Sequence, residues 1–526
     1  PGEGPPGHEE RGAEPMTRNG SVTVSAAVRE RLGHPVIDAD GHTVEFLPAM
    51  EKYLVAAGAE RRMAGGLDIA AVRKRVNSSA AAWVDLTPEE RVHRRAVKGT
   101  WWGLNADALD LATVSLPRLM RARLDEMGID GSVVYGSIGR SFGAFEDESV
   151  RRAGCRGVNR YYAESFAPYS DRLIPVAVIP MHTPEEAVDE LEYAAVELGM
   201  RAAVFQSYVK RPIPALEHLG PDVSRYAYWL DLLGIDSRHD YDPVWKRCQE
   251  LGVPVAAHSL GIGWGSRRSI SSYVYNHVGH FAAIGEAFAK ALFLGGVPHR
   301  FPGLNFAFLE GGVGWAVSLL SDLVGHWSKR NGEAVERYGP EGFDKERFGE
   351  LLREYGEGWA DLEPRGALGI GWGGEAMPHS LRDEWAACAI ESVGDILRVY
   401  TGQYFCGCEA DDPLVSLAFS EGLLPLGAKV KPLFSSDIGH WDVPDVREVL
   451  AEGFENVEDG RIVEADFREF AFVNPALLYC GMNPHFFDGT RVQSAVDQLL
   501  RERSAAGPGE EGTRQGREAI GAVTPS

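Results

Sequence analysis

Val36-Ile37-Asp38-Ala39-Asp40-Gly41-His42-Thr43-Val44-Glu45 decides the fold. Its first half is apolar and β-branched, the pattern of a short buried strand. It then breaks into Asp-Gly-His, where such a strand ends. Side chains alternate along a strand, so the spacing predicts that Asp38, Asp40 and His42 point the same way. Buried carboxylates without a partner cost several kcal/mol, so this strand end calls for a cation, a proton or a donor. A carboxylate and an imidazole two residues apart form a two-ligand metal clip. The plainer alternative is a turn capped by Asp40 beside an ordinary buried histidine.

The surrounding composition narrows the class. Of 526 residues, 44% are hydrophobic and 25% charged, an ordinary soluble globular balance. A net charge of −23 argues against nucleic acid or an anionic membrane as a partner, because both demand basic patches. The 6 cysteines are scattered without a CxxC pair, which predicts reduced thiols and a cytoplasmic protein. No apolar run is long enough to span a bilayer, and no signal-peptide pattern is present. Residues 1–30 read as a disordered N-terminal segment, with Met16 a suitable start, and the tail from about Ser504 reads as disordered too.

Working outward, apolar runs recur between helical stretches. Residues 131–136, 173–179, 202–206, 253–258, 304–310, 404–408 and 432–437 read as further strands. Thr183-Pro184-Glu185-Glu186 opens a helix with a good cap and a proline at its first position. Strands that are apolar throughout, alternating with helices, are parallel and covered on both faces. Eight such units close a (β/α)8 TIM barrel, here one catalytic domain over residues 31–490, followed by a helix end and tail at 491–526. Residues 46–115 and 208–241 are insertions. The first is too long for a plain loop, should hold helices, and carries Trp83, Trp101 and Trp102. Both are expected to lie over the C-terminal mouth, with Trp101 or Trp102 lining an apolar pocket.

The polar residues that end these strands are Asp40, His42, His258, Glu310 and Asp437. A barrel brings strand ends to one face, where active sites are built. Hard and borderline ligands converging there suit a divalent transition metal. His277 and His280, three apart, share a helical face if that segment is one helix, or form a solvated or capping pair. His440 and Asp442 follow Asp437 at the rim, as partners of the ligands or as acid/base groups; Glu310 is a third catalytic candidate. Gly311-Gly312-Val313-Gly314 lacks a phosphate-loop pattern, and Cys406 and Cys408 read as core residues.

These residues resemble a known family. Asp38-Ala39-Asp40-Gly41-His42 is similar to the first-strand HxH motif of the amidohydrolase superfamily, with Asp40 in place of the first histidine. His258 resembles its strand-five histidine, and Phe434 to Asp442 resembles the SDxPHWD segment of the amidohydrolase-related (type 2) family. That family includes aminocarboxymuconate-semialdehyde and resorcylate decarboxylases. The similarity runs from about Pro35 to Gly489 and includes Arg172–Pro175 and Arg300–Leu304. Glu310 departs from the decarboxylases, which keep a histidine there. In its length, and in Phe308 to Trp315, His326-Trp327 and Asn276 to Phe281, the chain looks closer to a subgroup of barrel-fold non-heme diiron monooxygenases, one of which hydroxylates a diterpenoid intermediate in platensimycin and platencin biosynthesis.

That resemblance implies two irons held by Asp40, His42, His258, His277, His280, Glu310 and Asp437. It further implies O₂ and an electron donor of unknown identity as partners, with a bulky, largely apolar metabolite as substrate. The alternative is a mononuclear zinc or manganese decarboxylase or hydrolase, since the same ligands activate water equally well. A barrel that only binds is the least economical reading, because buried carboxylates beside histidines burden a mere scaffold. Either enzyme is compatible with a homo-oligomer.

Overall fold

Among the described residues ten strands run in chain order: β1 (Ile37–Thr43), β2 (Gly131–Gly136), β3 (Leu173–Ile179), β4 (Ala202–Phe205), β5 (Val209–Pro212), β6 (Tyr228–Asp231), β7 (Val255–Ala257), β8 (Phe306–Phe308), β9 (Tyr404–Glu409) and β10 (Lys431–Ser435). The computed structural model describes residues 22–59, 83–99, 107–224, 226–258, 265–338, 343–359 and 382–506. Parallel ladders join β1-β2-β3-β4-β7-β8-β9-β10, while β5 and β6 pair antiparallel as a separate hairpin. The eight-stranded sheet curls into the (β/α)8 TIM barrel that the alternating apolar runs predict. Fully buried Tyr135, Phe306, Phe308, Tyr404, Leu433 and Phe434 belong to its strands. Helices cover it in turn, among them Glu148–Phe166 and Pro184–Glu192, the latter capped by Thr183 with Pro184 in its first turn.

The barrel closes at the seam between β10 and β1. Asp437 donates its backbone N–H to the Asp40 carbonyl at 3.3 Å, and Ser435 Oγ donates to the same oxygen at 3.1 Å. The β1–β2 register shifts between Asp38 and Gly41, so β1 does not alternate as a regular strand would. Asp38 therefore does not join Asp40 and His42, contrary to the simple period-two reading. Its carboxylate turns into the seam and binds Ser132 and Ser436.

Gly41 makes this shift possible. A Cβ there would stand 2.4 Å from both Asp38 Oδ2 and Ser132 Oγ. Gly41→Ala should destabilise the fold by about 1–3 kcal/mol through overpacking. Thermal unfolding checks this; an unchanged midpoint would mean that the seam has slack.

Both insertions attach at the C-terminal ends of the strands. Val44 N and Thr43 Oγ1 bond the Val114 carbonyl at 3.0 and 2.8 Å. Further along, Trp83 Nε1 donates to the Ile270 carbonyl at 2.6 Å, and Asn276 Nδ2 donates to the Lys98 carbonyl at 2.7 Å. The first insertion holds helices Leu47–Ala56, Pro88–Arg94 and Ala108–Ser115. In the second, the β5–β6 hairpin is tied down by Arg211 on Asp231 and by Tyr241, whose hydroxyl donates to the Met181 carbonyl just past β3. Trp101 and Trp102 lie outside the described residues.

One expectation needs correcting. Within the stretch 1–30, expected to be disordered, Val24–Arg31 is a helix capped by Thr23. Ser25 Oγ accepts from Ala451 N at 3.1 Å, so burial of one small face holds it against helix Val449–Glu458. All cysteines among the described residues are free and buried. No described helix is long and apolar enough to cross a membrane.

Candidate metal centre

The strand ends bring Asp40 and His42 (β1), His258 (after β7), Glu310 (after β8) and Asp437 with His440 (after β10) to one buried cluster. None is more than 7% exposed. Asp40, His42, His258 and Glu310 form one group whose ligand atoms lie within 4.8 Å of each other; His42, Glu310, Asp437 and His440 form a second. The two groups share His42 and Glu310.

Backbone geometry aims these side chains. Glu310 and Asp437 both adopt left-handed backbone, with φ of 56° and 46°. Non-glycine residues there store about 1–3 kcal/mol of strain each, which the surrounding fold must over-determine. Each residue thereby turns its carboxylate back over the strand it has just left. Gly439 (φ 100°) lets the chain reverse again so that His440 returns to the centre. Glu310→Gly should therefore be more stable than Glu310→Ala by about 1–2 kcal/mol in metal-free protein, since both lack the carboxylate and only glycine relaxes the backbone. Equal denaturation midpoints would show that this strain is absent.

The atoms at the centre crowd one another, with more acceptors than donors among them. His42 Nε2 stands 3.1 Å from Glu310 Oε1, 3.3 Å from Asp437 Oδ1 and 3.5 Å from Asp40 Oδ1. His258 Nε2 is 2.8 Å from Glu310 Oε1, and His440 Nδ1 is 2.5 Å from Asp437 Oδ1. Both carboxylate oxygens of Asp40 and of Glu310, both ring nitrogens of His42 and Oδ1 of Asp437 make no hydrogen bond of ordinary geometry. Buried polar atoms are normally satisfied, so a cluster of orphans around one point fits a cation.

Electrostatics point the same way. Burial pushes Asp40 and Asp437 well above the usual carboxylate range, and the charge of Glu310 pushes both further. Burial acts on Glu310 in the same direction, but the charge of His258 and the close ring nitrogens of His258, His42 and His440 hold it well below its ordinary value. Burial lowers His42 and His258, with His440 and Arg140 respectively adding to the effect. Without a cation, then, the three carboxylates are pulled apart: Glu310 toward its charged form, Asp40 and Asp437 toward their protonated forms. A divalent ion would let all three ionise. Mixed carboxylate and imidazole donors suit zinc, manganese or iron.

Two neighbours escaped the reading of the sequence. Arg140, buried in the short turn Gly139–Ala144 after β2, directs Nη1 at His258 Nδ1. With Nδ1 accepting, the ring proton sits on Nε2, toward Glu310. A metal taking Nε2 moves that proton to Nδ1, and the guanidinium must then let go. Glu409 ends β9 one residue beyond the predicted strand; burial, then Asp442 and Glu310, push it up to about 8.

His277 and His280 are placed differently from the expectation. Helix Tyr273–His277 ends before Gly279 (φ 70°), and His280 starts helix His280–Leu294, so the two share no helical face. Their rings are still 5.3 Å apart, at the rim beside Trp441 and Phe281. Neither belongs to the two ligand groups. His280 Nδ1 donates to the His277 carbonyl at 2.5 Å, which leaves Nε2 as a buried lone pair without a hydrogen bond. Burial depresses its pKa to about 4. Asp442 lies at the same rim, close enough for its charge to act on Tyr273 and His277.

The family described as amidohydrolase matches residues 115–358, a span that includes His258 and Glu310 but not β1 or β10. No curated protein matches the chain. Among solved structures, an amidohydrolase from Mycobacterium avium subsp. paratuberculosis is 16% identical, with a TM-score of 0.48 over 85% of this chain and 100% of that one. A dihydroxybenzoic acid decarboxylase from Polaromonas sp., with bound manganese and 2-nitroresorcinol, is 16% identical, with a TM-score of 0.43 over 85% and 97%. A 5-carboxyvanillate decarboxylase from Novosphingobium aromaticivorans, complexed with manganese, is 12% identical, with a TM-score of 0.44 over 85% and 96%. The match over residues 115–358 relates the chain to the amidohydrolase family.

Proposed function

We propose that this protein is a metal-dependent hydrolase or decarboxylase acting at a carboxyl or acyl carbon of a small molecule. One observation carries the reading: buried carboxylates and imidazoles from four barrel strand ends meet at the C-terminal mouth in two overlapping groups, each with its ligand atoms within 4.8 Å. Asp40, His42, His258, Glu310 and Asp437 would hold the ion, with His440 at its edge. A bound divalent ion supplies Lewis-acid polarisation of an oxygen and a more acidic water. Arg140, displaced from His258 on loading, meets an anionic group of the substrate. His440 and Asp442 stand where a general base or acid is wanted, and Glu409 keeps a proton close to neutral pH.

The test is turnover of aromatic carboxylates and of esters by zinc- or manganese-loaded protein under argon. Carbon dioxide or acid release without oxygen is expected, and its loss in Asp437→Ala. Turnover that appears only with O₂ and a reductant would reject the redox-neutral reading. Arg140→Met gives a further check. It should bind metal several-fold more tightly, because a competing positive charge is gone, while weakening inhibition by benzoate. Weaker metal binding in that variant would contradict the displacement.

A second reading keeps a specific observation in its favour. Six donors exceed the roughly three or four protein ligands of a catalytic ion that keeps a position open, and His280 presents a tautomer fixed by a backbone carbonyl, as metal ligands commonly do. On this reading the protein is a non-heme diiron monooxygenase that hydroxylates a bulky, largely apolar metabolite such as a diterpenoid, using O₂ and an external electron donor. His277→Ala or His280→Ala would then lower bound iron from about two per chain toward one. Under the first reading both variants keep full metal content. Iron analysis on the two variants separates them.

A further inference from the structure

We propose that Asp38 is the positioning residue of the metal centre: a clamp that sets the separation of Asp40 and Asp437 across the barrel seam. The inference rests on the metal reading above and adds a residue outside the ligand groups. Asp38 Oδ1 accepts from Asp40 N at 3.2 Å and from Ser436 N at 3.0 Å. Its Oδ2 accepts from Ser132 Oγ and from Ser436 Oγ, both at 2.7 Å. One fully buried carboxylate thus grips β1, β2 and the end of β10 together.

Its partners are next to ligands. Asp40 follows Asp38 by two residues, and Asp437 follows Ser436 directly. Across this seam, the Asp437 N to Asp40 carbonyl bond at 3.3 Å is long for an N–H donor. A seam held so weakly by its backbone would let the two ligand segments drift apart. The four contacts to Asp38 remove that freedom. Gly41 belongs to the same device, because any side chain there would collide with Asp38 Oδ2.

The clamp predicts an effect on the metal and not merely on folding. Partners behind metal ligands typically change affinity about 10- to 100-fold when removed, and Asp38→Ala should fall in that range for Zn²⁺ or Mn²⁺ in chelator competition. The visible spectrum of Co²⁺-loaded Asp38→Ala should also change in band position or intensity, since Asp40 and Asp437 no longer meet the ion at a fixed distance. Asp38→Asn should restore most of the affinity. Its amide oxygen still accepts from both backbone donors, and the two serine hydroxyls can rotate to accept from its NH₂. Should Asp38→Ala fail to fold, Ser132→Ala with Ser436→Ala removes both hydroxyl donors and should lower affinity several-fold.

Wild-type affinity and an unchanged Co²⁺ spectrum in Asp38→Ala, or in the double serine variant where Asp38→Ala does not fold, would overturn the clamp while leaving the metal site standing. Failure of the wild-type protein to bind any of the three ions would overturn both.

Discussion

Asp437→Ala and His42→Ala are expected to leave the barrel folded and to strip it of metal. Each residue lies at the centre of the cluster, and His42 is common to both ligand groups. Removing one ligand leaves the ion short of a donor that the closed site cannot replace. Metal retained after dialysis should drop to a small fraction of the wild-type value, with the circular dichroism spectrum unchanged. His42→Ala should show this more completely than Asp40→Ala, because Asp40 belongs to only one group. Wild-type metal content in His42→Ala would place the ion elsewhere.

The second large effect concerns removal of the metal itself. An ion held at a thousand times its dissociation constant stabilises the folded state by about 4 kcal/mol. Chelation should therefore lower the melting midpoint of the wild-type protein by several degrees and leave that of Asp437→Ala nearly unmoved. The difference depends on pH with a definite sign. Asp40 and Asp437 have raised pKa values in the metal-free fold, so this state holds protons that the loaded state must release. The stabilisation gained from metal thus grows as pH rises through those raised values and shrinks on acidification. Scans at about pH 8 and about pH 5 should show the larger chelation effect at the higher pH. A chelation effect that is larger at the acid end would contradict the proton count.

The sequence exposes the barrel and most of the strand-end residues for one reason. Parallel strands buried on both faces are short apolar runs, and a charged residue that interrupts such a run stands out. His258 after Val255–Ala257 and Glu310 after Phe306–Phe308 are cases of this. What alternation cannot show is where a strand stops alternating. The register shift between Asp38 and Gly41 sends Asp38 into the seam, and only neighbours from β2 and β10 reveal it.

His440 is legible in the sequence as a partner of the ligands or an acid/base group at the rim. Its closeness to Glu310 and Asp437 depends on two left-handed residues, Asp437 and Gly439, and a one-residue pattern does not encode that path. Arg140 carries no sequence signal at all. It is a single basic residue in a short turn, and only the folding of that turn across the mouth brings it to His258. The histidine pair shows the opposite error. A spacing of three suggested one helical face, but Gly279 splits the segment into two helices.

The most direct test of the metal centre is elemental analysis of the full chain, purified without chelators and dialysed against metal-free buffer. At least one divalent transition-metal ion per chain is expected in the wild-type protein, and close to none in His42→Ala prepared in parallel. A wild-type protein that is folded, has been offered zinc, manganese and iron in turn, and retains none of them would contradict the account.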